Sequence, residues 1–184
     1  MIYPAIMPTI KTGDEELSYN GEPLDFHLID FWRWPTSDIM SNTTRGVFAE
    51  FIVGTAIGLD KYNVRNDWDE YDLESSDGRI KIEVKSSAYI QVWSQDELSK
   101  ISFSIRAPKS TNIRPSDVYV FCLLNHKNQA TVDPLKMEQW EFYVVPTKHI
   151  NEYKRSQTSI TLNSLRKLAF SIQYTELHKA ISNI

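Results

Sequence analysis

The chain has 184 residues, 41% hydrophobic and 24% charged, ordinary globular values that suit one domain with a real core and exclude a disordered class. Its formal net charge is −4, which excludes a general basic surface, so any nucleic-acid contact has to come from a local patch. The single cysteine, Cys122, rules out an internal disulfide; with no apolar stretch near the roughly 18 residues of a membrane span and no basic-then-apolar leader pattern, a cytoplasmic protein without membrane contact is expected.

Residues 1–40 are expected to form an N-terminal arm packed on the core, and residues 41–184 a single domain. Pro4, Pro8, Gly13, Gly21, Pro23 and Pro35 favour short extended pieces over a helix in the arm. Phe26, Phe31, Trp32 and Trp34 could stack on bases. They show no periodicity and have only Arg33 among them, so packing over the core is the favoured reading.

Ser41-Asn42-Thr43-Thr44 supplies N-cap candidates for a helix over residues 45–59, apolar nearly all round and therefore expected to be buried. Glu50 is the one charge in its middle, and an unpaired buried carboxylate is costly. It is either ion-paired, with Arg45 or a lysine, or a third carboxylate aimed at the acids downstream. Gly46, Gly54 and Gly58 in this segment read as close-packing positions, since no glycine-rich phosphate loop surrounds them. Lys61–Asn66 reads as a short strand, and Asp67-Trp68-Asp69-Glu70 as an acidic approach to the next element.

Residues 71–91 organise the chain. Arg79-Ile80-Lys81-Ile82-Glu83-Val84-Lys85 alternates polar and apolar side chains, the period of a strand with one buried face. Tyr71-Asp72-Leu73-Glu74 alternates in the same way, and the intervening Asp77-Gly78 is a strong hairpin signal. A turn of even length pairs Glu74 with Lys81, Asp72 with Glu83 and Glu70 with Lys85; an odd loop turns these partners to opposite faces. In the even register Asp72 and Glu83 carry their carboxylates on Cβ atoms roughly 5 Å apart, which is unfavourable unless a cation lies between them. A hard divalent ion removes the conflict, because Mg²⁺ commonly needs only one or two carboxylates with water and phosphate. Lys85 shares that face.

A strand is expected at Ile101–Arg106. The loop after it carries Arg106, Lys109 and Arg114 and no acid, which reads either as a merely soluble loop or as equipment for phosphate contacts. Asp117–Leu124 reads as a fully buried central strand containing Cys122, and Glu141–Val145 as another. Short helices are expected at Thr147–Tyr153, Asn163–Phe170 and Tyr174–Ile181. The four histidines lack zinc-ligand spacing, and no Gly-x-Ser-x-Gly elbow occurs.

A helix with one glutamate, an acid on a strand, a hairpin and then Glu83-Val84-Lys85 together resemble the PD-(D/E)XK nuclease superfamily. The likeness covers residues 45–145 and implies an α/β fold with a restriction-endonuclease-like core, a central mixed β-sheet flanked by helices. It implies that Asp72 and Glu83 bind Mg²⁺, for which Mn²⁺ substitutes, with the Val84 carbonyl as a further ligand. Lys85 would position or help deprotonate the attacking water, Glu50 would match an accessory helix glutamate, and Gln91 a polar residue that follows the lysine. Tyr71 stands where the motif has proline, so the pairing alone selects Asp72 over Asp67 and Asp69.

The leading expectation is thus an Mg²⁺-dependent endonuclease cleaving DNA phosphodiester bonds, with Arg106, Lys109 and Arg114 gripping the backbone. Its rival is a non-catalytic module on the same fold that binds nucleic acid or protein. The plainest alternative is a solvated charged face with an ion-paired helix glutamate. A homodimer is compatible with the sequence.

Overall fold

A computed structural model describes residues 3–62, 64–65, 69–107, 113–154 and 158–184. The chain divides into two compact units, Met1–Asp38 with Asp60–Asp67, and Ile39–Leu59 with Trp68–Ile184.

In the first unit, β1 (Glu16–Tyr19) and β2 (Glu22–His27) form an antiparallel hairpin. Its two-residue turn is Asn20-Gly21, at φ 52° and 88°, the pair of left-handed conformations that twist two strands together correctly. A helix, α1 (Leu28–Thr36), follows where only extended pieces were expected. The reason lies in its first turn. The Leu28 and Ile29 amides donate to the carbonyls of Glu15 and Gly13, both at 2.9 Å, and the Asp30 carboxylate accepts from the His27 amide at 2.9 Å. Donors that a helix start leaves unpaired are thus satisfied. Pro35 falls in the last turn, where it withholds one amide from the ladder just as the helix ends. The described residues of the expected strand at Lys61–Asn66 are turn or irregular chain.

In the second unit, α2 (Asn42–Ala56) starts at Ser41, whose hydroxyl accepts from the Thr44 amide at 3.3 Å. It ends at Gly58, with φ 85°. There the Leu59 amide reaches the Gly54 carbonyl at 2.8 Å and the Gly58 amide the Thr55 carbonyl at 3.4 Å, which is the Schellman closure of a helix C-terminus. Gly58 is therefore a stop signal, Gly46 faces open space, and only Gly54 is a close-packing glycine, its hydrogen facing the Leu59 side chain. The helix buries one face, with Ala49, Ile52 and Val53, and leaves Val47 and Phe51 about half exposed. The all-round burial expected of it fails because a sheet covers only one side.

That sheet contains β3 (Leu73–Glu74) and β4 (Lys81–Ala88); after them the chain forms β5 (Ser102–Ser104), β6 (Val118–Leu124) and β7 (Trp140–Pro146). Then come α3 (Thr147–Lys154), β8 (Ser159–Thr161), α4 (Leu162–Leu165), a 3₁₀ turn at Tyr174–Glu176 and α5 (Leu177–Ser182). The four-stranded order is β3-β4-β6-β7. β3 is antiparallel to β4, β4 parallel to β6 and β6 antiparallel to β7. This is the expected α/β architecture, a central mixed sheet flanked by helices. β5 pairs with β8 in a separate two-stranded sheet, and the helix expected at Asn163–Phe170 shortens to α4.

Alternation sorts the sheet into two cores. Ile82, Val84, Val118, Val120 and Cys122 pack on α2 and α5. Tyr119, Phe121, Leu123, Tyr143 and Val145 pack against Phe103 of β5, Ile150 of α3, Ile160 of β8 and Leu165 of α4. Every residue of β6 is buried, including the Cys122 thiol, as its unbroken apolar run requires. Among the described residues, no helix is long and apolar enough to cross a membrane.

Candidate metal and phosphate site

The hairpin of β3 and β4 has the even parity. Leu73 pairs with Ile82 and Glu74 with Lys81, and the Ser75 amide closes on the Ile80 carbonyl at 2.9 Å. Asp77 pins the turn from within. Its carboxylate accepts from the Ser75 hydroxyl at 2.7 Å, the Arg79 amide at 3.2 Å and Arg79 Nε at 2.6 Å. The Arg79 hydrogen bond, helped by Ser75, holds this carboxyl down at about 2. Gly78 supplies the left-handed residue, at φ 70°.

Just before Leu73, Asp72 lies outside the regular pairing, beside Ile82. The Asp72 amide donates to the Ile82 carbonyl at 3.0 Å, and Asp72 Oδ2 accepts the Val84 amide at 2.7 Å. Val84 thus orients the acid through its backbone while its side chain joins the core under α2. Glu83 and Lys85 project from the other face. Lys85 Nζ touches Glu83 Oε1 and lies 3.6 Å from Asp72 Oδ2, so one cation already sits between the two acids. The three side chains are only 18 to 27% exposed, and partial desolvation strengthens such contacts relative to a surface ion pair. Burial pushes the Glu83 carboxyl up, offset in part by Lys85 and reinforced by Asp72. Burial alone would pull the Lys85 ammonium down, but Asp72 and Glu83 outweigh it, and its pKa rises.

Tyr119 completes the surroundings. It pairs with Glu83 across the parallel strands, so its ring stands beside Glu83 on the same face. Its phenol is pushed up by burial and then by Glu83. The sequence hides this residue inside an apolar run.

The other candidates have surroundings of their own. Glu50 is half-buried on α2, the helix that covers the face opposite Glu83, and its charge is felt at Cys122. Gln91 follows β4 and organises the next loop, its amide nitrogen donating to the Ala88 carbonyl and its backbone amide to Gln95 Oε1, both at 2.7 Å. Arg106 is exposed, and Lys109 lies outside the described residues, as does Asp67. Arg114, expected to grip a nucleic-acid backbone, is instead 7% exposed. It donates to the Ile105 carbonyl at 2.9 and 2.7 Å and to Asn151 Oδ1 at 2.5 Å. A carbonyl just past the end of β5 needs donors, and a forked guanidinium supplies two.

Among the described residues, no three or more His, Cys, Asp or Glu side chains gather for a metal ion. The site offers two carboxylates converging on a single cation, hard oxygen donors that suit Mg²⁺ when water and a phosphate fill the rest of the shell.

A family model described as bacteriophage T4 endonuclease IV matches residues 29–164, well over half of the chain and spanning the entire hairpin. No curated protein matches the sequence.

Proposed function

The chain belongs to the bacteriophage T4 endonuclease IV family, and on that premise we propose that it is a metal-dependent DNA endonuclease built on a PD-(D/E)XK-like core. Asp72, Glu83 and Lys85 are its centre. The observation that carries this reading is their convergence on one face of β4, in a chain whose family is named for cutting nucleic acid.

In this scheme the Asp72 and Glu83 carboxylates hold Mg²⁺, or Mn²⁺ in its place. When bound, the ion supplies charge stabilisation at the scissile phosphate and acidifies a bound water. The Val84 amide keeps Asp72 turned toward Glu83. Lys85 Nζ donates to the attacking water and to a non-bridging phosphate oxygen, lowering the energy of charge that develops there. Tyr119 packs beside Glu83 and keeps bulk water from that side. Glu50 and Gln91 take no step, since one serves the opposite face and the other the loop after β4.

Exposed Arg106 contributes a backbone contact, as does Lys81, which shares the face of Glu83 and Lys85 and lies 5.2 Å from the Tyr71 ring centroid. Such phosphate contacts position the strand without reading its sequence. The test is cleavage of plasmid and single-stranded oligonucleotides with Mg²⁺, comparing the wild type with Glu83→Gln and Lys85→Ala. Loss in both variants supports the scheme. Equal cleavage by all three proteins rejects it, and tight DNA binding without turnover points to a binding module.

A further inference from the structure

We propose that Lys85 sets the metal affinity of this site by standing in for the ion, so that loading requires its ammonium to leave the space between Asp72 and Glu83. The inference rests on the metal-dependent reading above and adds a role that positioning of the water does not include.

Geometry carries it. Lys85 Nζ is in contact with Glu83 Oε1 and 3.6 Å from Asp72 Oδ2, while the Val84 amide fixes that same Asp72 oxygen at 2.7 Å. The two acids are therefore held together by a resident monocation. A divalent ion held by both carboxylates would compete with the ammonium for the same oxygens, and +2 beside +1 in partly desolvated surroundings is strongly unfavourable. The lysine stem is long and flexible enough to swing away. Lost contacts with Glu83 and Asp72 then oppose metal binding, and a DNA phosphate beside the site would give the displaced ammonium a new anionic partner. Metal and DNA should consequently bind with positive coupling.

The experiment titrates Mn²⁺ alone into the DNA-free protein, counting free Mn²⁺ by electron paramagnetic resonance, for the wild type, Lys85→Met, Lys85→Gln and Asp72→Asn. Because a charge-assisted contact is removed without touching either carboxylate, both Lys85 variants should bind Mn²⁺ about tenfold more tightly than the wild type, and Asp72→Asn should lose binding. Two substitutions of different polarity guard against misfolding of one. If neither Lys85 variant binds more tightly while Asp72→Asn still loses the ion, the stand-in role is overturned and the metal site survives. If no protein binds Mn²⁺, or Asp72→Asn binds it as well as the wild type, the metal reading falls and the inference with it.

Discussion

The Lys85 ammonium stands between two carboxylates, touching Glu83 Oε1 and lying 3.6 Å from Asp72 Oδ2. Each acid supplies half of a cation site, so neither can substitute for the other. Asp72→Asn and Glu83→Gln keep the size of the side chain and remove its charge; each is expected to lower plasmid nicking by at least about a hundredfold. Chelation by EDTA should abolish nicking, and excess Mg²⁺ or Mn²⁺ should restore it. Nicking within a few-fold of the wild type by Asp72→Asn would remove that residue from the centre.

Arg114 and Arg106 separate fold from function within one loop. Arg114→Ala leaves the Ile105 carbonyl and Asn151 without their buried guanidinium donor. Unsatisfied buried polar groups of this kind cost about 1 to 3 kcal/mol each, so the melting temperature should fall by several degrees. Arg106→Ala exposes no such debt, since the side chain is already in water. It should leave the melting temperature unchanged, weaken DNA binding and reduce its salt dependence, as measured by fluorescence anisotropy over a range of NaCl. The opposite pattern, a folding defect at Arg106 and a pure binding defect at Arg114, would contradict the arrangement described for the loop.

The pairing of Leu73 with Ile82 and Glu74 with Lys81 is legible in the sequence because Asp77-Gly78 marks the turn, and parity decides which side chains share a face; Asp72 lies just outside that ladder and meets Glu83 through Lys85. Val118–Leu124 is legible for a similar reason: only a central strand buries both of its faces. Hidden features depend on long-range geometry. The helix at Leu28–Thr36 is capped by the carbonyls of Gly13 and Glu15, which no local pattern announces, although Asn20-Gly21 before it is a hairpin signal that the surrounding prolines obscure. Charge alone made Arg114 resemble a phosphate contact, since the need of Ile105 for donors arises only once β5 has ended. A helical period around Glu50 reveals an apolar surface but not which face of a sheet it will cover. Tyr119 escapes notice because an apolar run gives no sign that one of its rings borders a charged site.

Gly58 offers a clean measure of helix termination. Its φ is 85°, and a Cβ there would meet nothing within 4 Å, so Gly58→Ala introduces backbone strain without a steric clash. The left-handed conformation costs an L-residue about 1 kcal/mol. Urea denaturation should show a loss of about that size with an unchanged m-value. A markedly larger loss would mean that the end of α2 does more than stop a helix.

The turn that sets the site should also be visible in acid. Asp77 is held down at about 2, against an ordinary 3.8, chiefly by its hydrogen bond to Arg79 and then by Ser75. A depressed carboxyl stabilises the fold only while it is ionised, so its contribution is complete above 3.8 and disappears as the pH falls through about 2. Asp77→Asn retains an acceptor for Ser75 and Arg79 but removes the charge. The urea midpoints of the wild type and Asp77→Asn should accordingly differ by a constant amount near neutrality, converge as the pH drops below 3.8 and coincide once Asp77 is protonated. The gap should be modest, because the Asp77 and Arg79 side chains are largely exposed and water and salt weaken such pairs. Midpoints whose separation does not shrink between pH 3.8 and pH 2, or that never differ, would show that the carboxylate charge is not what clamps the turn; the even register would then rest on Gly78 and the backbone bonds between Ser75 and Ile80.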